Sequence, residues 1–263
     1  MTSGDEVIAV DNVVTRFENQ TVHDGVSFVV NRGELVALIG ASGSGKTVLL
    51  REIIGLVRPT KGEVRMFGTE IWSASDDELA SLRRRFGMMF QEGALFSSLT
   101  VAENVAVPLV EHANIPLHLL APLVSLRLSL AGLPADTGAK MPSTLSGGMR
   151  KRAAIARALA LEPEILFLDE PTSGLDPTTA RELDALLRSL CDNLGITIFL
   201  VTHDLDTLLT IVDRVIVLAG GKVIADGDLK AVLAAEDPWL RSYFSVRQMV
   251  PPRAHVTGGS DGV

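Results

Sequence analysis

The 263-residue sequence predicts an α/β fold, a mostly parallel sheet covered on both faces by helices and carrying an inserted helical subdomain. Three observations lead there. Short apolar, β-branched segments alternate with helix-period segments through the second half. A glycine-rich turn at 40–47 follows an apolar strand and opens a helix, and the middle of the chain carries Leu at helical spacings. Taken in order, residues 7–10 (VIAV), 26–30 (VSFVV) and 35–39 (LVALI) read as early strands separated by turn residues. Residues 48–56 (VLLREIIGL) read as a helix, so 35–56 forms a strand, turn, helix unit. A charged helix with an Asp start is expected over 76–85, and Leu119, Leu123, Leu126 and Leu130 mark another over 117–132. Then follow helix 147–160, strand 165–168, helix 178–190, strand 196–201, helix 204–211, and strands at 215–218 and 222–225. Past Phe244, Pro251, Pro252, Gly258, Gly259 and Gly262 mark 246–263 as a tail, either flexible or held by a partner.

Composition narrows the function classes. Hydrophobic residues at 47% and charged residues at 21% fit a folded globular chain. A formal charge of −8 disfavours wholesale binding to nucleic-acid phosphates. Cys191 is the single cysteine, so no internal disulfide and no Cys-based zinc site is expected, and a reducing compartment fits. The longest stretch without Asp, Glu, Lys or Arg, His112 to Leu126, holds Pro116 and Pro122. It falls short of the about 20 apolar residues that span a bilayer. The acidic start, MTSGDEVIAV, is unlike a secretion signal, so any membrane role is expected to run through a partner.

Three constellations carry chemistry. Gly40-Ala41-Ser42-Gly43-Ser44-Gly45-Lys46-Thr47 is a complete G-x-x-x-x-G-K-[ST] phosphate loop in its required strand and helix context. Its glycines let backbone N–H groups wrap phosphate oxygens at a helix N-terminus. Lys46 is expected to reach the β- and γ-phosphates of ATP or GTP, and Thr47 to hold Mg²⁺ through its hydroxyl. Next, ILFL at 165–168 ends in Asp169 and Glu170, where open α/β sheets place ligands. Alone these acids would read as helix caps. Beside a phosphate loop, Asp169 suits Mg²⁺ and Glu170 the attacking water. Third, Leu145-Ser146-Gly147-Gly148-Met149 opens a helix that Ser146 can cap, making a second anion site.

With these motifs in place the sequence resembles the nucleotide-binding subunits of ATP-binding cassette (ABC) transporters over roughly residues 7–244. Six family motifs stand in the family's order: the phosphate loop at 40–47, Gln91 in FQEG, LSGG at 145–148, ILFLDE at 165–170, SGLD at 173–176, and His203 after ITIFLVT. The resemblance implies a phosphate-loop ABC ATPase domain over 1–245, with an N-terminal antiparallel β portion and a helical subdomain at about 92–160. It implies that Phe17 stacks on adenine, with a core aromatic as the lesser reading of that residue. Gln91 would contact Mg²⁺ and the γ-phosphate, Glu170 would be the catalytic glutamate, and His203 would reach the γ-phosphate. Gly40, Ser42, Gly43, Ser44, Gly45, Lys46, Thr47 and Val48 would cradle the phosphates. Ser146, Gly147 and Gly148 would touch the ATP of the opposite subunit in a homodimer, with Asp176 at the boundary. His23, His112, His118 and His255 have no motif support and read as structural.

The LSGGM ending, the 90–112 segment FQEGALFSSLTVAENVAVPLVEH and the RKRAAIARALALEPEILFLDEPTSGLDP segment are most similar to the Mla/Mkl group. These are ATPase subunits of bacterial systems that move phospholipids or related lipids between inner and outer membranes. That likeness implies a membrane permease, an MCE-domain protein and a small STAS-domain protein as partners, and a place on the cytoplasmic face of the inner membrane. Gly93, Ala94, Leu95, Phe96 and Leu99 read either as a permease docking groove or as plain core packing. An ATPase for amino-acid or other small-solute import would share every catalytic motif. ABC ATPases acting on DNA usually carry coiled coils, zinc sites or basic faces, none of which is visible here. A purely regulatory nucleotide-binding protein fits poorly with Glu170 and His203 both present.

Overall fold

Two sheets position everything else. The structure, a computed structural model, describes residues 5–248 apart from 19, 114 and 236. The first sheet is antiparallel: β1 (Glu6–Phe17) pairs with β2 (Gln20–Asn31) and with β4 (Lys61–Met66), and β4 pairs with β5 (Thr69–Glu70). β1 and β2 run far longer than the short apolar stretches at 7–10 and 26–30, because several bulges let polar residues continue both strands. The second sheet has the order β10-β9-β3-β8-β7-β6. Its strands are β3 (Leu35–Ile39), β6 (Phe86–Met89), β7 (Ile165–Asp169), β8 (Thr197–Val201), β9 (Arg214–Ala219) and β10 (Lys222–Gly227). All neighbours pair in parallel except β10, which joins β9 antiparallel at the edge.

The unbroken apolar runs of the inner strands follow from burial on both faces. Ile165 and Phe167 of β7 face the first sheet, α1 (Lys46–Ile53) and α2 (Asp76–Arg84). Leu166 and Leu168 face the other side, towards α3 (Val101–His112), α4 (Leu117–Leu130), α5 (Gly147–Ala158) and α6 (Pro177–Leu194). The same alternation sends Phe199 and Val201 of β8 one way and Ile198 and Leu200 the other. Phe28, Phe199, Phe167 and Phe86 form a ring-to-ring chain with centroids 6.1, 5.9 and 5.5 Å apart, welding the first sheet to the second. At the far edge α7 (Leu205–Thr210), α8 (Leu229–Ala234) and α9 (Pro238–Gln248) cover β9.

Between β6 and β7 the regular elements are α3, α4, α5 and two short 3₁₀ turns. α3 adds a helix to those expected from the sequence; Pro108 sits inside it, and its start is a capping box: Glu103 N–H donates to Thr100 Oγ1 and Glu103 accepts from Thr100 N–H. The same device starts α2, and there Ser75, not an Asp, is the cap. Of the tail expected over 246–263, residues 246–248 finish α9 and the remainder lies outside the described residues. Among the described residues no helix is long and apolar enough to cross a membrane.

One buried acid ties α6 to α7. Asp184 accepts two contacts from Thr207 Oγ1, at 2.9 and 3.2 Å, and burial pushes its pKa up to about 6 against the pull of that hydroxyl. A carboxyl held above its unfolded value adds most stability when protonated, and loses it as pH rises through about 6. Asp184→Asn keeps the acceptor without the charge. Its stability relative to the parent is expected to climb between pH 5 and pH 8 by about 1 kcal/mol, the part of the shift that lies above pH 5 at about 1.4 kcal/mol per pKa unit. Thermal melts at the two pH values check this, and a difference from the parent that stays constant or falls between pH 5 and pH 8 would contradict it.

Candidate nucleotide site

Strand register assembles the site. Val201 of β8 pairs with Leu38 of β3 and with Asp169 of β7, while Leu168 pairs with Met89 of β6. The chain leaving each of these four parallel strands therefore emerges on one edge: Gly40, Gln91, Glu170 and His203 lie within one or two residues of it. This is the carboxyl edge at which open parallel sheets hold ligands.

After β3, the loop 40–45 turns through Gly43 at φ 77° and Gly45 at φ 98° and delivers Lys46 as the first residue of α1. A Cβ at Gly45 would stand 2.6 Å from His23 Nε2 and 2.8 Å from Val22 Cγ1, so glycine is required there twice over. Lys46 Nζ donates to the carbonyls of Gly40 (2.8 Å) and Ala41 (3.0 Å), arching back over its own loop. Burial holds its pKa below the usual lysine value, opposed by the charges of Glu170 and Asp169. Ser44 Oγ is buried with no hydrogen-bond partner. A left-handed glycine loop at a helix start, with a lysine and an orphan hydroxyl, fits a phosphate chain. Ser42 and Thr47 are exposed and Val48 is half-buried.

The loop is anchored from below by a residue that sequence patterns left structural. His23 on β2 is fully buried, with Nε2 3.2 Å from the carbonyl oxygen of Gly45. Its Nδ1 is 3.0 Å from Glu52 Oε2 of α1, within ion-pair distance though not aligned as a hydrogen bond. Thr15 Oγ1 of β1 donates to Glu52 Oε1. Glu52, an acid within the helix VLLREIIGL, is fully buried.

At the end of β7, Asp169 is 7% exposed. Burial first, and then the neighbouring Glu170 charge, push its pKa up, while Arg51, Lys46 and Lys151 pull it down. Glu170 leaves the strand with φ 50°, a left-handed turn rare outside glycine, and its N–H donates to the carbonyl of Val201 (2.8 Å). Its Oε1 lies 2.7 Å from His203 Nδ1. The helix-cap reading of these two acids therefore gives way: Asp169 ends a strand and Glu170 is paired to a histidine from the next one. His203 is itself held by its carbonyl, which accepts from Tyr243 Oη (3.0 Å) of α9.

Ser146 caps α5, accepting from Met149 N–H at 3.2 Å. A Cβ on Gly148 would come within 2.4 Å of Thr179 Cγ2, so α5 and α6 meet there at glycine distance. Asp176 caps α6, accepting from the N–H groups of Thr178 and Thr179 (3.1 Å each) and from Thr179 Oγ1 (2.6 Å). Gly147 shares a polar cavity of about 500 Å³ with Gln91, Lys151 and Ser173. The structure thus groups Lys46, Asp169, Glu170 and His203 on the sheet edge, and sets Ser146, Gly147, Gly148 and Asp176 apart at two helix starts. Phe17 ends β1 with its ring 47% exposed, so it is not a core aromatic. Beyond Gln91, Gly93 is buried and Leu95 packs against the helical core, whereas Phe96 is 51% exposed. Asn104, fully buried, fastens this segment by accepting from Phe96 N–H and donating to the carbonyls of Phe96, Leu99 and Thr100.

A phosphate loop between strand and helix, with acids ending a parallel strand of the same sheet across the intervening β8, defines a phosphate-loop nucleotide hydrolase. Residues 23–173 match the family model described as ABC transporter, and the chain belongs to that family as an ATP-binding, ATP-hydrolysing subunit of a transporter. It is 43% identical over 226 residues to MlaF, the intermembrane phospholipid transport system ATP-binding protein of Escherichia coli K12, covering 86% of this chain and 84% of that one. It is 42% identical over 232 residues to the methionine import ATP-binding protein MetN of Rhizobium johnstonii, covering 88% of this chain and 64% of that protein. The dimeric post-hydrolysis structure of the ATP-binding cassette MJ0796 bound to ADP and Pi superposes with a TM-score of 0.77 at 33% identity, over 84% of this chain and 98% of that one.

Proposed function

We propose that this chain is the ATPase of a bacterial system that transports phospholipid between inner and outer membranes. The likeness to MlaF, at 43% identity over most of both chains, carries this reading. In it, two copies close head to tail around two ATP molecules; the dimeric MJ0796 cassette supports the pairing of two copies. The loop from Gly40 to Val48 cradles the phosphates, and Lys46 exchanges its two loop carbonyls for the β- and γ-phosphate oxygens. Thr47, Gln91 and Asp169, all oxygen donors, would hold Mg²⁺, which when bound neutralises charge building on those oxygens. Phe17 offers its exposed ring to adenine.

Glu170 orients the attacking water and takes its proton, and His203, 2.7 Å away, fixes that carboxylate and reaches towards the γ-phosphate. Ser146, Gly147 and Gly148 complete the partner's site from the start of α5, with Asp176 at the boundary. Because those contacts exist only in the closed pair, ATP favours closure and its hydrolysis releases it. The chain meets the membrane, at its cytoplasmic face, through a permease, for which Phe96 offers an apolar contact. An MCE-domain protein and a small STAS-domain protein complete the assembly by likeness to the Mla/Mkl group. The 42% identity to MetN supports a second reading, a small-solute importer.

Two measurements test the proposal. Glu170→Gln is expected to lower phosphate release by about 10²–10⁴-fold, the usual worth of a positioned base, while ATP binding is retained. Equal rates in variant and parent would remove Glu170 from its role. Extraction from native membranes through an N-terminal tag in mild detergent, followed by mass spectrometry, is expected to recover a permease, an MCE-domain protein, a STAS protein and phospholipid. A solute-binding protein with an importer-type permease would instead establish the second reading.

A further inference from the structure

Lys151 lies one turn inside α5, in the run Arg150-Lys151-Arg152 that reads as a solvated basic stretch, yet it is only 8% exposed. A buried cation persists where its donors are satisfied. A lysine ammonium has three N–H donors, and here three acceptors surround it. They are the carbonyl oxygen of Gln91, the carbonyl oxygen of Glu170 at 3.0 Å and Ser173 Oγ at 3.2 Å. These acceptors come from the chain leaving β6, the end of β7 and the turn that leads to α6. Ser173 Oγ also donates to the same Glu170 carbonyl at 2.8 Å, closing the cluster. The Glu170 carbonyl, which also accepts from Ser173 N–H at 3.2 Å, is thus gripped by three donors at the residue whose φ of 50° turns its carboxylate towards His203. The neighbouring cations of α5 act elsewhere: Arg152 reaches the Ala131 carbonyl and Glu182, and Arg157 the carbonyls of Gly93 and Ala94.

We infer that Lys151 is a positioning residue for hydrolysis: it locks the backbones of Gln91 and Glu170 and the hydroxyl of Ser173 to the helix that begins at Gly147. The inference rests on the roles proposed above for Gln91 and Glu170. An apolar side chain of similar length could fill the same space. It could not hold three loops at once, and a reacting group displaced by about 1 Å costs on the order of 100-fold in rate.

The test uses the full-length chain, with steady-state ATPase kinetics, ADP binding by calorimetry and a thermal melt for each variant. Lys151→Met is expected to lower kcat about 100-fold while KM for ATP stays within about twofold, because the phosphate loop is untouched. ADP affinity is expected to match the parent. Lys151→Arg, which keeps a cation and several donors, is expected to recover kcat to within about tenfold of the parent. Parent-like kcat in Lys151→Met would overturn the inference. So would a parallel fall of kcat and ADP binding in the Met and Arg variants, the mark of a merely structural role. If the Met variant does not bind ADP at all, Lys151→Gln, with two N–H donors, decides by the same split between kcat and KM. Glu170→Gln measured alongside separates the two claims. Parent-like turnover in that variant removes the role of Glu170, whereas parent-like turnover in Lys151→Met alone removes only the inference.

Discussion

The parallel register of β3, β8, β7 and β6 is the constraint from which the site follows. Pairing of Val201 with both Leu38 and Asp169, and of Leu168 with Met89, fixes four chain exits at one edge. A slip of one residue would turn every inner side chain to the opposite face, so the two apolar cores on either side enforce the register. Those strands are buried on both faces and contain almost no polar side chains before their last residue. Chemistry is thereby confined to where the strands stop.

At that edge, charge is balanced rather than accumulated. Burial and then mutual repulsion with Glu170 push the pKa of Asp169 up, and Arg51, Lys46 and Lys151 oppose that push. The same acids support the charge of Lys46 against its own burial. Lys46 rests on two carbonyls of its own loop, contacts that an incoming phosphate can replace with charge-assisted ones. Beneath it, the His23, Glu52 and Thr15 cluster joins the antiparallel sheet to the exit of the phosphate loop. The N-terminal sheet therefore does more than cover one face of the core. It fixes the Gly45 carbonyl, next to Lys46 of the phosphate loop.

The parts of the fold that sequence made legible are those where backbone geometry or double-sided burial restricts residue choice. Gly43 and Gly45 are needed for left-handed turns, LVALI and ILFL for strands buried on both faces, and Ser146 for a helix start, so each announces itself. The family resemblance brought Gln91 and His203 to the same edge from far along the chain. The illegible parts lie where local pattern misleads. Pro108 and a Val-rich turn mask α3, although Thr100 and Glu103 carried its start signal. Bulges hide the length of β1 and β2. The roles of His23, Glu52 and Lys151 leave no local pattern, because their partners stand 19 to 60 positions away and only tertiary packing reveals them. A buried charge with distant partners leaves no trace in periodicity.

Hydrogen–deuterium exchange of the intact chain, with and without Mg²⁺ and a non-hydrolysable ATP analogue, tests the central claim that the carboxyl edge of the parallel sheet is the nucleotide site. Slowed exchange is expected in the backbone of 41–48, 90–92 and 170–173, the segments that register brings together. The interior of the first antiparallel sheet should change little. Protection centred instead on the apolar cavity between α3 and α4, lined by Ala106, Leu120 and Val124, with 41–48 unaffected, would contradict it.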